Sequence, residues 1–264
     1  MNRINLTHLR RMKAEQNKIA MLTAYDASFS YALEHAGVDV ILVGDSLGMV
    51  IQGQESTLPV TVNDIIYHCQ SVLRGSDTVF VIADMPFMSY ANEDKAIANA
   101  ARLMAEGGAH MVKLEGGTIM ASTIKQLTER GIPVCAHLGL LPQSVHRVGG
   151  YRVQGRDAVT ADELIRDAVA LQDAGADMLV LECVPAALAK KVTNTLIIPV
   201  IGIGAGAECD GQVLVLYDML GLTPGKRPRF SYDFLADTDS IQSAIAKYVV
   251  DVKSGQFPTI EQQY

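Results

Sequence analysis

The sequence predicts an α/β fold, a single (β/α)8 barrel spanning residues 1–264, and three observations predict it. Short apolar, β-branched runs alternate with longer amphipathic stretches along the chain. The runs lack polar alternation, the mark of parallel strands buried on both faces. Eight β-then-α units in 264 residues match the roughly 250 residues usual for such a barrel. A doubly wound open sheet would need strand order to reverse, and count and length favour the barrel.

The elements follow in order. Residues 1–18 form an N-terminal leader, with Leu6, Leu9 and Met12 at helical spacing over 6–17 and Thr7 available as a cap. A strand over 20–25 precedes a helix over 28–36 that Gly37 ends. The second strand, Val40-Ile41-Leu42-Val43, stops in Gly44-Asp45-Ser46 and opens a long loop over 46–60, with a helix over 61–74 beyond it. The third, Val79-Phe80-Val81-Ile82-Ala83, ends in Asp84; its helix covers 93–106, with Asn92 as cap and Gly107-Gly108 as stop. The fourth, Met111-Val112-Lys113-Leu114, ends in Glu115 and leads to a helix over 119–130.

Pro133-Val134-Cys135-Ala136-His137 is the fifth strand, and a second long loop over 138–159 follows. Thr160 and Glu163 have the spacing of a capping box for the next helix. The sixth strand covers 177–182 and its helix 186–195; the seventh covers 199–204, and the eighth 213–218, a stretch that also tolerates a helical reading. Residues 225–264 supply a C-terminal loop and a helix whose one face carries Ile241, Ala244, Ile245, Tyr248, Val249 and Val252. In a barrel both long loops leave strand C-termini and overhang the mouth as lids.

Composition narrows the function. The net charge of −7 argues against a nucleic-acid surface, and the densest basic stretch, Gly225-Lys226-Arg227-Pro228-Arg229, reads as a solvated loop. No apolar run approaches the roughly 20 residues that span a bilayer, and the N-terminus lacks a secretory signal. Cys69, Cys135, Cys183 and Cys209 form neither a CxxC pair nor a disulfide framework, which suits reduced thiols in a cytoplasm.

Chemistry gathers at strand ends. Asp45, Asp84 and Glu115 close three consecutive strands, a candidate site for a hard cation. Strand-end carboxylates also cap helices, but three in succession make capping alone a poor account. Oxygen donors without paired histidines or thiolates select Mg²⁺-like ions, which complete their shell with water and substrate oxygens. A 2-oxo acid offers two such oxygens, and polarising its ketone acidifies the neighbouring carbon. Lys113 shares a face with Glu115 by the period of two and suits an anionic substrate. Glu182 ends the sixth strand after largely apolar residues, where partial desolvation suits a general base. His137 is available to bond a substrate oxygen or orient another group. Ser46 has no neighbouring His or Lys in sequence for a triad and reads as a hydrogen-bonding contact. Gly202-Ile203-Gly204-Ala205-Gly206 is not GxGxxG, and close backbone packing explains it better than phosphate binding.

Seven motifs occur in order: Val43-Gly44-Asp45-Ser46-Leu47-Gly48, Thr57-Leu58-Pro59-Val60-Thr61, Ala83-Asp84-Met85-Pro86-Phe87, Val112-Lys113-Leu114-Glu115-Gly116-Gly117, Cys135-Ala136-His137-Leu138-Gly139, Val153-Gln154-Gly155-Arg156 and Ile201-Gly202-Ile203-Gly204-Ala205-Gly206. With them the chain resembles the ketopantoate (3-methyl-2-oxobutanoate) hydroxymethyltransferase family from about Thr23 to about Phe257. The resemblance implies a barrel of the phosphoenolpyruvate/pyruvate-domain-like kind, assembled as a cytoplasmic homodecamer of two pentameric rings. It implies hydroxymethyl transfer from 5,10-methylenetetrahydrofolate to 3-methyl-2-oxobutanoate on the way to pantothenate and coenzyme A. Matched residue by residue, it implies Mg²⁺ at Asp45, Asp84 and Glu115, 2-oxo-acid contacts from Asp45, Ser46, Asp84 and Lys113, a pocket-lining His137, and Glu182 as proton acceptor. Ala136, Leu141, Arg152 and Tyr217 stand where glycine, threonine, lysine and histidine are commoner in the family. A metal-dependent lyase or mutase on another 2-oxo acid shares the barrel and the enolate chemistry, and folate dependence separates the two. A catalytically silent scaffold barrel must explain why these charged groups remain at strand ends.

Overall fold

Eight parallel strands close on themselves in sequence order in the computed structural model, which describes residues 3–150, 152–223, 225 and 227–264. They are β1 (Ile19–Thr23), β2 (Val40–Val43), β3 (Phe80–Asp84), β4 (Met111–Glu115), β5 (Val134–Gly139), β6 (Met178–Glu182), β7 (Val200–Ile203) and β8 (Gly211–Leu214). β8 returns to β1 through the pairs Ile19 with Gly211 and Leu22 with Leu214, so no sheet edge remains. Apart from half-buried Gly139, every strand residue is buried, as expected of a sheet lined by side chains within and helices without.

The helices are α1 (Leu6–Ala14), α2 (Ala27–His35), α3 (Leu47–Val50), α4 (Val62–Arg74), α5 (Glu93–Ala105), α6 (Ala121–Thr128), α7 (Val145–Val148), α8 (Ala158–Asp173), α9 (Ala186–Thr195), α10 (Leu216–Met219) and α11 (Ile241–Lys253). Local chemistry fixes their starts. Asn92 caps α5 as expected, and Thr61 with Asp64 forms a reciprocal capping box on α4. Three expectations need correction. The leader is capped by Asn5, whose side chain accepts from the His8 N–H, and not by Thr7. α8 begins earlier than Thr160, because the Asp157 carboxylate takes the Thr160 N–H and hydroxyl and so fills the N-cap. The eighth strand lies at 211–214, and Leu216–Met219 is the helical turn α10, because the ladder with β1 runs out at Leu214.

Both long loops carry short helical turns, α3 in the first, and a 3-10 turn (Pro142–Ser144) with α7 in the second. The stretch expected as a helix over 119–130 divides into a 3-10 turn (Thr118–Met120) and α6. Tyr151 in the second loop, Met1 and Asn2 of the leader, and Lys226 of the basic stretch lie outside the described residues. Arg227 of that stretch pairs with Asp233 at 3.6 Å.

α1 closes the bottom of the barrel. Leu9 and Met12 are buried, and Arg10 and Lys13 reach Asp177 and Asp210, each one residue ahead of a strand. α11 covers the closing seam, packing on β1, β8 and α2. The buried Tyr248 hydroxyl lies 2.8 Å from the Met21 carbonyl and 2.9 Å from that of Gln212, bridging the first and last strands. Loss of that donor leaves buried carbonyls short of a partner, a cost of about 1–3 kcal/mol. Tyr248→Phe is therefore expected to lower Tm by a few degrees, read by thermal unfolding, with turnover of the folded protein unchanged.

Candidate active site

Parallel register brings the strand-end charges side by side. Asp84 is the ladder partner of Lys113, Glu115 of His137, and Gly139 of Glu182. Partnered residues in a parallel pair project to the same face. The Lys113 ammonium accordingly lies 2.6 Å from Asp84 Oδ1, and His137 Nδ1 lies 3.6 Å from Glu115 Oε1 and 3.4 Å from Lys113 Nζ. His137 Nε2 lies 3.2 Å from Glu182 Oε2. His137 thus stands between two carboxylates, one from β4 and one from β6. All five of these charged or titratable side chains are buried, from 2% exposed at Asp84 to 8% at Glu182.

β2 joins through its C-terminal turn. The Asp45 backbone N–H donates to Asp84 Oδ2 at 2.8 Å, so the two carboxylates share one end of the barrel. Gly44 permits this approach, because a Cβ there would stand 3.2 Å from Asp84 Oδ2. Tyr25, just past β1, shares a 2.7 Å hydrogen bond with the Ser46 hydroxyl. Tyr217 packs beside the Tyr25 ring at 6.2 Å between centroids.

Burial sets the electrostatics. It pushes the Asp45 carboxyl up to about 8, Asp84 and Glu115 push the same way, and Lys113 and Gln143 only partly oppose them. Burial disfavours the charged Lys113, but the charges of Asp84, Glu115 and Asp45 outweigh it and hold the ammonium protonated well beyond the ordinary range. Burial and Lys113 both disfavour a charged His137; the adjoining carboxylates of Glu115 and Glu182 win and raise it to about 9. Glu115 is held below its usual range, because His137 and Lys113 outweigh its desolvation. Three carboxylates, of Asp45, Asp84 and Glu115, act on Lys113, and Asp45 is the one that burial, with help from Asp84 and Glu115, pushes toward its protonated form.

A divalent ion would correct this imbalance, and the donor set fits one. Asp45 and Asp84 are hard oxygen donors; Asp45 Oδ1 accepts no hydrogen bond among the described residues, whereas Asp84 meets Lys113 through Oδ1 and the Asp45 N–H through Oδ2. Glu115 is turned differently from the expectation of three convergent ligands. Its Oε2 accepts the Gln143 N–H at 3.1 Å and its Oε1 faces His137. Among the described residues no group of three His, Cys, Asp or Glu side chains is set to hold one ion. Magnesium does not require such a cage, since it binds through one or two carboxylates, water and substrate oxygens.

Three contributors escaped the sequence reading: Tyr25, Tyr90 and Gln143. Tyr90 donates to Gln143 Oε1 at 2.5 Å and accepts the Glu115 N–H at 3.3 Å. Gln143 Nε2 donates to Asp45 Oδ2 at 2.9 Å and to the Met85 carbonyl at 3.0 Å. All three are uncharged and sit in loops or at a strand exit, with no periodicity to mark them. In the Gly202–Gly206 segment the glycines pack tightly: a Cβ at 202 would stand 2.9 Å from Cys209 Sγ, and one at 206 would stand 2.6 Å from Ala186 Cβ.

A closed parallel barrel with a carboxylate-rich, lysine-bearing mouth defines an enzyme of the class that works on small anionic substrates at the C-terminal strand ends. Residues 3–260 match the family model described as ketopantoate hydroxymethyltransferase, and the chain belongs to that family. It is 63% identical over all 264 residues, the full length of both chains, to the 3-methyl-2-oxobutanoate hydroxymethyltransferase of Nitrosococcus oceani. Among solved structures, phosphoenolpyruvate phosphomutase from Streptomyces platensis subsp. rosaceus aligns with a TM-score of 0.63 at 17% identity, covering 83% of each chain. A phosphonopyruvate hydrolase determined with oxalate and Mg²⁺ aligns at 0.62 and 13% identity, covering 96% of each. These two share the fold. The protein is thus a transferase of the hydroxymethyltransferase family on a phosphoenolpyruvate-mutase-like barrel. Among the described residues no helix is long and apolar enough to cross a membrane.

Two outcomes test this site. Asp45 holds a proton in the folded state between its ordinary 3.8 and about 8, so its contribution to stability falls as pH rises across that window. His137, raised from 6.5 to about 9, contributes stability below 6.5 that is lost as pH rises through 9. In chelator the Tm is therefore expected to fall from pH 6.5 to 9, at about 2–4 °C per kcal/mol for a chain of this size, and Asp45→Asn flattens the part below 8. Gly139 has φ +90°, and a Cβ there would stand 2.1 Å from the Glu182 carbonyl. Gly139→Ala shifts the end of β6 and with it Glu182; a displacement near 1 Å costs about 100-fold in turnover, read by steady-state kinetics beside an unchanged circular-dichroism spectrum.

Proposed function

We propose that this barrel transfers a hydroxymethyl group from 5,10-methylenetetrahydrofolate to 3-methyl-2-oxobutanoate, giving ketopantoate, with Mg²⁺ held by Asp45 and Asp84. When bound, the ion supplies Lewis-acid polarisation of the ketone. Lys113 binds the anionic end of the substrate and faces the oxygen on which charge develops. Ser46, oriented by Tyr25, hydrogen-bonds the same end. Glu115 supports the cluster through His137 and through water, outside direct contact with the ion. Glu182 removes the proton from C3, and His137, in contact with its carboxylate, orients it and balances its charge. C3 then adds to the methylene carbon of the donor; both C–N bonds from that carbon to folate break, water supplies the hydroxyl oxygen, and tetrahydrofolate leaves with two protons, one taken from C3 through Glu182 and one from water.

Family membership supports the reaction, and one observation supports this assignment of roles: His137 bridges Glu115 and Glu182 beside the buried Asp84–Lys113 pair. One barrel domain over 1–264, a cytoplasmic setting and a homodecamer follow from the family resemblance.

The test is exchange of the C3 proton of 3-methyl-2-oxobutanoate in D₂O, followed by NMR. Exchange is expected to need Mg²⁺ but no folate, and product to need both. Glu182→Gln is expected to slow exchange by about 10²–10⁴-fold, the usual worth of a general base. An unchanged exchange rate in that variant removes Glu182 from its role, and turnover without folate would favour a lyase or mutase.

A further inference from the structure

We propose that Gln143 is a positioning residue, which latches the loop after β5 over the acid cluster and fixes the Asp45 carboxylate for a divalent cation. The Mg²⁺ part of this inference rests on the function proposed above; the latch does not.

Gln143 is 6% exposed, yet it lies in the loop after β5, four residues past the strand. Its side chain has two N–H donors and one carbonyl acceptor, and all are engaged. Nε2 donates to Asp45 Oδ2 beyond β2 and to the Met85 carbonyl beyond β3. Oε1 accepts from Tyr90 of the same β3 loop. Its backbone N–H donates to Glu115 Oε2 at the end of β4. One residue of the β5 loop thereby ties together the ends of three other strands. Pro142, at the start of the 3-10 turn, restricts the backbone that delivers it.

The residue type matters. A lysine or arginine here would fill the cation's electrostatic role, and a glutamate would add a carboxylate to a cluster already in excess. A neutral amide orients Asp45 through one oxygen and leaves the other free. By holding Oε2 of Glu115, the same loop keeps that acid aimed at the cluster's edge. Partners of this kind around a metal ligand are worth about 10–100-fold in affinity. Because donor and acceptors belong to different strand ends, occupancy of the cluster and closure of the loop are coupled.

The experiment uses the full chain. Arg147, exposed in α7, is a trypsin site within the latched loop. In metal-free Gln143→Ala, nicking after Arg147, and after Arg152 and Arg156 of the same loop, is expected to rise about tenfold while nicking outside the loop holds steady. Titration calorimetry with MgCl₂ is expected to show Kd raised about 10–100-fold. Tyr90→Phe is also expected to speed nicking, and the double variant to match Gln143→Ala within about twofold, because Tyr90 acts through Gln143. Nicking and Mg²⁺ affinity within twofold of the parent overturn the proposal, as does a uniform rise in nicking at all sites. Should Gln143→Ala not fold, Tyr90→Phe decides: unchanged nicking after Arg147 overturns the latch. A parent protein that binds no Mg²⁺ would instead overturn the metal reading of the cluster, and nicking would still report on the latch.

Discussion

The buried Asp84–Lys113 pair is the constraint around which the mouth of this barrel is arranged. Two charges at 2.6 Å, both nearly inaccessible to water, carry a desolvation cost that their mutual attraction offsets only with further partners. Those partners are present: the Asp45 N–H bonds the other Asp84 oxygen, and His137 and Glu115 stand beside Lys113. Apolar residues of similar size would pack at lower cost, so such a pair is poorly explained by stability. It is better explained by a site that holds a fixed positive charge beside a carboxylate.

The surplus of acids follows from the same arrangement. Lys113 neutralises one carboxylate, His137 is shared by two, and Asp45 is left to resolve its repulsion by taking a proton. Glu115 meets His137 through one oxygen and the Gln143 N–H through the other.

The loops complete what the strands begin. Tyr25 orients Ser46, Tyr90 bridges Gln143 and the Glu115 backbone, and Gln143 returns to Asp45. Each contact joins groups from different βα units, so the cluster is held in shape by the closure of the barrel as a whole. The bottom is secured separately, where Arg10 and Lys13 of α1 anchor to acids ahead of β6 and β8. Stability at one end and chemistry at the other is the division this fold imposes.

The sequence by itself determined the eight-fold alternation, because buried parallel strands read as unbroken apolar runs and their helices as amphipathic ones. It also determined which charged residues end the strands, and all of Asp45, Asp84, Lys113, Glu115, His137 and Glu182 are found together at the mouth. Its errors lay where local chemistry offers two answers: Asp157 over Thr160 as a cap, and a turn at 216–219 where a strand was expected. Only the tertiary structure decided that Asp84 pairs with Lys113, that His137 stands between Glu115 and Glu182, and that Glu115 accepts the Gln143 N–H. Those facts come from strand register and from loops such as the one carrying Gln143. Contacts between residues dozens of positions apart leave no periodic trace in the chain that makes them.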